Sequence, residues 1–579
     1  MNLTQQFQPM KEVTNMQKSK AIMIGAGLSN MAAAVYLIQE GHWKGNQITF
    51  YALDDHGSND GAKTDSVTDE YWNKNHPMEN NAGYIARGGR MLNYRTYVDL
   101  MDLLDRIPSA TEPGMTAAQD TRNFDAAHPT FDKARLLQEG KGIVNGSKLG
   151  LNNLSRKLLT QLILLPDSRE EELDNITIAE YFKDNPEFFE TNFWFMWETT
   201  FAFRTRSSAQ ELRRYMHQMI YEFTQIEHLV GVNRTRYNQF ESIMLPLINY
   251  LKEQGCQIIL NRRVIDWEFK ESAMQDEITV TGLKMINTVT DEVELVPVDK
   301  DTAVIFTNGS ITDSATLGDY NTPAPENLDY GAASSLWKKA TEHFYNLGNP
   351  DKFFADRDAS EWVSFTLTTK DHTLLNEITR ITTQEPGNAL NSFISTHPIT
   401  PLGQNDVTMS IVVHHQPHFT SQKPNETVLW GYFLYPRRLG EIIQKPYIEM
   451  TGKEMLQELI GQLSKVDSGP INISSKEDEI LKSVVNCIPV YMPYASALFN
   501  NRAKSDRPKV IPKNSTNLAF TGEFVEQPYQ MIFTENSAVR SGEIAAFHFA
   551  GVPMSKLVET PRYDKDLKTL AKAAKKMFD

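Results

Sequence analysis

The order of apolar and polar positions predicts a nucleotide-binding α/β opening. Ala21 to Ile24 is a short apolar run behind Lys18-Ser19-Lys20 and reads as a buried strand. It runs into Gly25-Ala26-Gly27-Leu28-Ser29-Asn30. A helix follows with Met31, Ala34, Val35 and Leu37-Ile38 on its apolar face, and Gly41 and Gly45 close it. Ile48 to Tyr51 is the next strand. Strand, glycine turn, helix and strand make a βαβ unit of the Rossmann type. Two later apolar runs, Ala303 to Phe306 and Asn517 to Phe520, also end in glycine turns, at Gly309 and Gly522. Together the three segments predict one parallel sheet assembled from separated pieces. A ligand would lie across the carboxyl ends of its strands.

Between these pieces the pattern changes. Ser58 to Pro77 is polar and reads as a loop. Leu100 to Leu104 reads as helix running toward Ile107-Pro108, and Ile176 to Lys252 as partly helical, with the aromatic block Phe193-Trp194-Phe195-Met196-Trp197. Gln257 to Asn261, Val264 to Phe269 and Glu277 to Leu283 read as strands. The predicted class is α/β: a Rossmann-like parallel sheet of discontinuous segments, an inserted α+β substrate domain and a C-terminal helical tail. The nucleotide-binding parts are placed at 18–110, 256–315 and 501–555, the substrate parts at 111–255 and 316–500, and the tail at 556–579.

Composition narrows the classes. Of 579 residues, 40% are hydrophobic, which excludes general disorder. A net charge of −15 argues against a nucleic-acid binder, which needs a basic face. Two cysteines, Cys256 and Cys487, exclude a disulfide framework, and no Cys/His cluster points to a metal. No apolar run approaches the roughly 18–20 residues that span a bilayer. The first twenty residues lack the apolar core of a signal peptide, so a reducing cytoplasmic location is expected.

The candidate chemistry starts at the glycines. Gly25 permits the tight turn, and Gly27 lets a pyrophosphate approach the backbone and sit on the helix N-terminus. The third glycine position holds Asn30, which predicts looser helix–strand packing. The place of the ribose-binding acid at the end of the second strand is Ala52. Asp54 and Asp55 follow and would substitute, unless they form only a solvated turn. A second cluster, Arg87-Gly88-Gly89-Arg90, suits a backbone passing close to a flat or anionic ligand.

The series Gly83-Tyr84-Ile85-Ala86-Arg87-Gly88-Gly89-Arg90 resembles the signature of the oleate hydratases, FAD-containing fatty-acid hydratases also called myosin-cross-reactive antigens. Asn192-Phe193-Trp194, Phe201-Ala202-Phe203-Arg204, Arg213-Arg214-Tyr215-Met216 and Tyr237-Asn238-Gln239 continue the resemblance in order. Gln416-Pro417-His418-Phe419, Asp506-Arg507-Pro508-Lys509-Val510, Asn517 to Val525 and Ile532-Phe533-Thr534 complete it. Each is common alone, and together they are specific.

The resemblance implies that water adds across an isolated cis double bond of a free unsaturated fatty acid, with FAD not consumed. It puts the proton donor on Tyr215, whose weakly acidic phenol needs help from a cation or the flavin. Arg213 and Arg214 are adjacent, but neighbours on a helix point about 100° apart. The resemblance places the carboxylate anchor on Gln239 and on a Thr-x-Asn-x-x-x-His run that here reads Val412, His414 and His418. A protonated histidine would then hold the carboxylate. Implied cofactor contacts are Gly25, Gly27, Asn30, Asp54, Arg87, Gly88, Gly89, Arg90, Met91, Val264, Asn308, Ser310, Glu523 and Ser537.

One departure matters most. The family's water-activating glutamate is Met91 here, and a thioether cannot take a proton. A second family glutamate is Asn93. Three accounts stay open: the flavin and backbone suffice with Tyr215; another acid, Asp99 or Glu523, reaches in; or hydration is lost, leaving a lipid-binding flavoprotein or a flavin oxidoreductase or isomerase. The tail from Asp564 to Phe578 reads as an amphipathic helix. Leu567, Leu570, Ala571, Ala574 and Met577-Phe578 form one stripe, with Lys565, Lys568, Lys572, Lys575 and Lys576 around it. It predicts either contact with an anionic membrane surface or packing on the body. The chain is expected to be a monomer or a homodimer.

Overall fold

A computed structural model describes residues 17–53, 83–88, 91–271, 277–386, 388–395 and 408–578. Five strands form the expected parallel sheet, in the spatial order Leu518–Thr521, Thr302–Thr307, Lys20–Ile24, Ile48–Tyr51, Gln257–Ile259. Ile24 lies opposite both Tyr51 and Phe306, and Phe306 opposite Phe520, so the carboxyl ends are level. That levelling creates a crevice at one edge of the sheet.

The helix Leu28–Gln39 starts from Gly27 and is buried from Ser29 to Leu37. It packs on the long helix Glu535–Ala550. Asn30 does not loosen the packing as expected. Its side chain is fully buried, donates to the carbonyls of Ile24 and Gly25 (both 2.9 Å), and accepts from Thr521 at 2.7 Å, tying two strand ends to the helix. Close approach is supplied by Gly542 of that long helix, where a methyl group would collide with the Ser29 carbonyl.

The same helix buries Glu543. Desolvation, then Asp99, raises its pKa to about 8, and its Oε2 has no hydrogen-bond partner among the described residues. A carboxyl whose folded pKa is raised stays neutral in the fold while the unfolded chain ionises. Stability is therefore lost as pH rises from the unfolded pKa toward 8, by at most about 1.4 kcal/mol per pH unit. Glu543→Gln is expected to raise the melting temperature at pH 8 and to change it little at pH 5. An equal shift at both would refute this assignment.

Beside the parallel sheet, Arg262–Phe269, Val280–Asn287 and Val293–Pro297 form a three-stranded antiparallel sheet. Its middle strand begins three residues later than the expected Glu277 and extends to Asn287, because it pairs along the whole of Arg262–Phe269.

The second main sheet has eight strands and includes Val484–Met492, Trp362–Thr369 and Thr427–Phe433 as neighbours. One face carries Val363, Phe365, Leu367 and Leu429 and is covered by the helices Thr373–Thr382 and Gly452–Val466. The other face carries Trp362, Trp430, Tyr432, Val412 and Met492 and packs on Ile85, Ala86 and Ala202. On that face Thr368 Oγ1 accepts from the Tyr84 N–H (3.1 Å). Thr366 Oγ1 accepts from the Ala86 N–H (2.8 Å) and donates to its carbonyl (3.0 Å). The strand threonines thus fix the segment leading into Arg87-Gly88.

The tail helix, Leu567–Lys576, does not use one stripe. Thr569, Ala573, Lys576 and Met577 face the body, with Lys576 paired to Glu227 at 2.7 Å and the Met577 carbonyl accepting from Arg156. Leu567, Ala571, Ala574 and Phe578, spaced four, three and four residues apart, form a second line that is exposed, Leu567 by 81% and Phe578 by 70%. Lys568, Lys572 and Lys575 flank that line and are exposed. Among the described residues no helix is long and apolar enough to cross a membrane.

Candidate active site

Among the described residues, four cavities adjoin one another through shared lining residues. The largest, about 900 Å³, is lined by Trp362, Trp430, Val412 and Tyr432 of the eight-stranded sheet, by Arg87, Gly88 and Met91, and by Tyr215 and Met219. A second, about 590 Å³, lies at the carboxyl ends of the parallel strands against Leu28, Ser29, Thr307, Ser310, Gly522 and Glu523. It shares Ile311 and Glu535 with the first. A third, about 360 Å³, is polar: Arg234, Arg236, His414, His415, His418 and Gln239 line it, and Gly88 is its wall in common with the first. A fourth, about 350 Å³ and mostly apolar, continues the first past Thr200, Phe201, Met219 and Val232 toward Ile226 and Leu229. A polar end, an apolar middle and an apolar far end thus lie in series, with the strand-end cavity alongside.

Tyr215 projects into the middle cavity from the helix Ala209–Met219, its ring set edge-on against Phe201 and Phe203. Its hydroxyl donates to the Ile532 carbonyl at 2.6 Å. Burial, then Tyr97 and the carboxylates of Glu523, Glu211 and Glu535, push its pKa well up. The phenol therefore holds its proton firmly. Arg213 and Arg214 do not assist it. They turn into a buried ion network, Arg213 to Glu170 (2.9 Å) and Asp167 (2.7 Å), Arg214 to Glu170 (2.9 Å) and Glu526 (2.6 Å).

Of the two acids named from sequence, Asp99 is pinned by Arg540 at 2.7 Å and lines none of the four cavities. Glu523 lines the strand-end cavity. The acid that reaches the middle cavity is Glu535, which sequence reasoning missed although it follows the quoted Ile532-Phe533-Thr534. It opens the helix Glu535–Ala550 just after its cap Thr534, is 7% exposed, and accepts a hydrogen bond from the Gln239 side chain. Asn93 also lines the middle cavity, its amide donating to Glu222 at 2.9 Å.

The expected anchor residues split. Val412 faces the middle cavity, whereas Gln239, His414 and His418 face the polar one. Asn238 fixes their arrangement, its N–H donating to the His418 carbonyl at 2.9 Å and its amide to Glu241 at 2.6 Å. The His414 and His418 rings stack at 3.7 Å. They are not the expected cations. Burial, with His418 and Arg234 nearby, drives the His414 pKa far down, and burial with Arg234 drives that of His418 to about 3.

Among the expected cofactor contacts, Ser310 and Glu523 line the strand-end cavity. Gly25, three residues before the cavity's Leu28, takes a φ of +92°, and Gly27 caps the first helix with no side chain, leaving its first amides available. Asn308 donates to the Phe524 carbonyl (3.2 Å), Ser537 donates back to the carbonyl of the helix cap Thr534, and Val264 is buried in the three-stranded sheet. Arg87, Gly88 and Met91 line the middle cavity. Asp54, Gly89 and Arg90 lie outside the described residues, as does Asp55.

Residues 18–547 match the MCRA family. The chain belongs to the MCRA family. It is 78% identical over 564 residues to the linoleate hydratase of Lactiplantibacillus plantarum, covering 97% of this chain and 99% of that one. It is 31% identical over 536 residues to the oleate hydratase of Streptococcus pyogenes serotype M49 (strain NZ131), covering 92% and 85%. An oxidoreductase structure from Methanosarcina mazei covers 91% of this chain and 99% of its own, at 12% identity and a TM-score of 0.47. This MCRA member is an enzyme of the hydratase class.

Proposed function

We propose that the protein adds water across an isolated cis double bond of a free unsaturated fatty acid, as in the conversion of oleate to a hydroxystearate. The series of cavities carries this reading: a polar pocket at one end, an apolar channel beyond it, and a buried phenol facing the middle. Such a layout holds an amphiphile in one register, which an unactivated alkene needs.

FAD fits the strand-end cavity by its donor set. The positive-φ turn at Gly25 leads into the uncapped helix start at Gly27, whose first-turn N–H groups, with Ser29 and Ser310 in the cavity wall, suit a pyrophosphate and ribose. Bound there, a flavin would supply electrostatic stabilisation to the reacting site without being consumed. Tyr215 gives its proton to one alkene carbon while water attacks the other. Because its phenolate is disfavoured among carboxylates, the proton is recovered as the attacking water gives one up. Glu535 is the carboxylate placed to take that proton from the water and pass it to the phenolate, so that both groups end the turnover as they began it, with Gln239 orienting Glu535. Met91 contributes only an apolar wall.

Turnover of oleate in heavy-oxygen water tests the reaction. The expected product is a hydroxy acid carrying the label, and an unlabelled redox product would overturn the proposal. The tail adds a membrane contact through its exposed apolar line and flanking lysines. Reversing Lys568, Lys572 and Lys575 to Glu is expected to weaken binding to phosphatidylglycerol vesicles about 10²-fold or more, at up to about 1 kcal/mol per lysine. Unchanged binding would remove the tail from this role.

A further inference from the structure

Arg234 is 7% exposed and follows a bridge between Asn233 and Leu92. Its backbone N–H donates to Asp125 at 3.0 Å. Its Nε, Nη1 and Nη2 are all buried and have no hydrogen-bond partner among the described residues. They line the polar cavity, as do His414 and His418, whose Nε2 atoms also lack partners. The nearest acids are engaged elsewhere: Asp125 takes the Tyr94 hydroxyl and the Arg234 backbone, and Asp132 sits 3.9 Å from Arg135. Burial pulls the Arg234 pKa down, yet a guanidinium keeps its charge in proteins.

A buried cation whose N–H groups are all unused is costly unless something else accepts from them. The matching acceptor is planar, anionic and two-oxygened, because the guanidinium fork pairs with a carboxylate bidentately. The two imidazoles, kept neutral by burial and by Arg234 itself, each have one N–H to give and no charge. Gly88 lines both this cavity and the apolar middle one, so the anion that suits this neighbourhood carries a long apolar chain.

We propose that Arg234 is the specificity-determining residue of the proposed site: its guanidinium seats the substrate's carboxylate and selects free acids over neutral chains of the same length. His414, His418 and Gln239 complete the hydrogen bonding as neutral groups. This rests on the fatty-acid reading above, and it assigns the charge that the sequence placed on histidine.

The test is equilibrium binding of stearate and of stearyl alcohol to the flavin-loaded protein, read by quenching of tryptophan fluorescence from the cavity residues Trp362 and Trp430. Neither ligand has a double bond, so turnover is not involved. The wild type is expected to prefer stearate by about 10²-fold, the range for charge-assisted bonds in a buried site. Arg234→Gln should lose most of that preference with alcohol binding unchanged, and Arg234→Lys should retain part of it. In oleate turnover, Arg234→Gln should raise KM far more than it lowers kcat. Equal losses for acid and alcohol, or an unchanged preference, would overturn the assignment. Should the Gln variant fail to fold, the Lys variant and the wild-type preference decide: no preference in the wild type refutes it. A wild type that selects stearate through Arg234 but hydrates nothing would instead refute the hydratase reading alone.

Discussion

Tyr215→Phe is expected to lower hydration by about 10²–10⁴-fold, the contribution of a well-placed general acid. The change removes one oxygen and keeps the ring contacts to Phe201, Phe203 and Phe499. The hydrogen bond to the Ile532 carbonyl is also lost, at a cost of about 1 kcal/mol. Stability and fatty-acid affinity should therefore stay near wild type while kcat collapses. Single-turnover assays with saturating oleate separate the two. A Phe variant with normal kcat would remove the phenol from the reaction.

Glu535→Gln should cost about 10²-fold or more in kcat, with little effect on affinity. Glutamine preserves the volume and can still accept from Gln239, but it cannot take a proton from water. Adding Met91→Glu to that variant is expected to recover part of the loss, because Met91 and Glu535 line the same cavity. Full activity in the Glu535→Gln variant would show that water is activated elsewhere.

The parallel sheet was legible because each of its strands is a short apolar run closed by a turn, as Lys20–Ile24 shows. The eight-stranded sheet was not. Trp362–Thr369 is buried at every position, yet half of it is serine and threonine. Two of those hydroxyls, on Thr366 and Thr368, serve the backbone of Ala86 and Tyr84, 280 and 284 residues away in sequence. Tyr215 was found by resemblance to a family and not by its own pattern. Arg234 and Glu535 escaped because a charged side chain in a sequence reads as solvated. Only tertiary packing buries Arg234 without a partner and brings Glu535 to the junction of two cavities. The tail shows the limit of periodicity: the 3.6-residue repeat announced an apolar stripe, but the body takes Ala573 and Met577 and leaves Leu567 and Phe578 outside.

A crystal structure of the Tyr215→Phe variant with oleate bound addresses the central claim most directly. The carboxylate should lie on Arg234 beside His414 and His418, the acyl chain should cross the middle cavity, and a double-bond carbon should sit against the edge of the ring at position 215. A chain lying outside that cavity, or a double bond remote from that ring, would contradict the account.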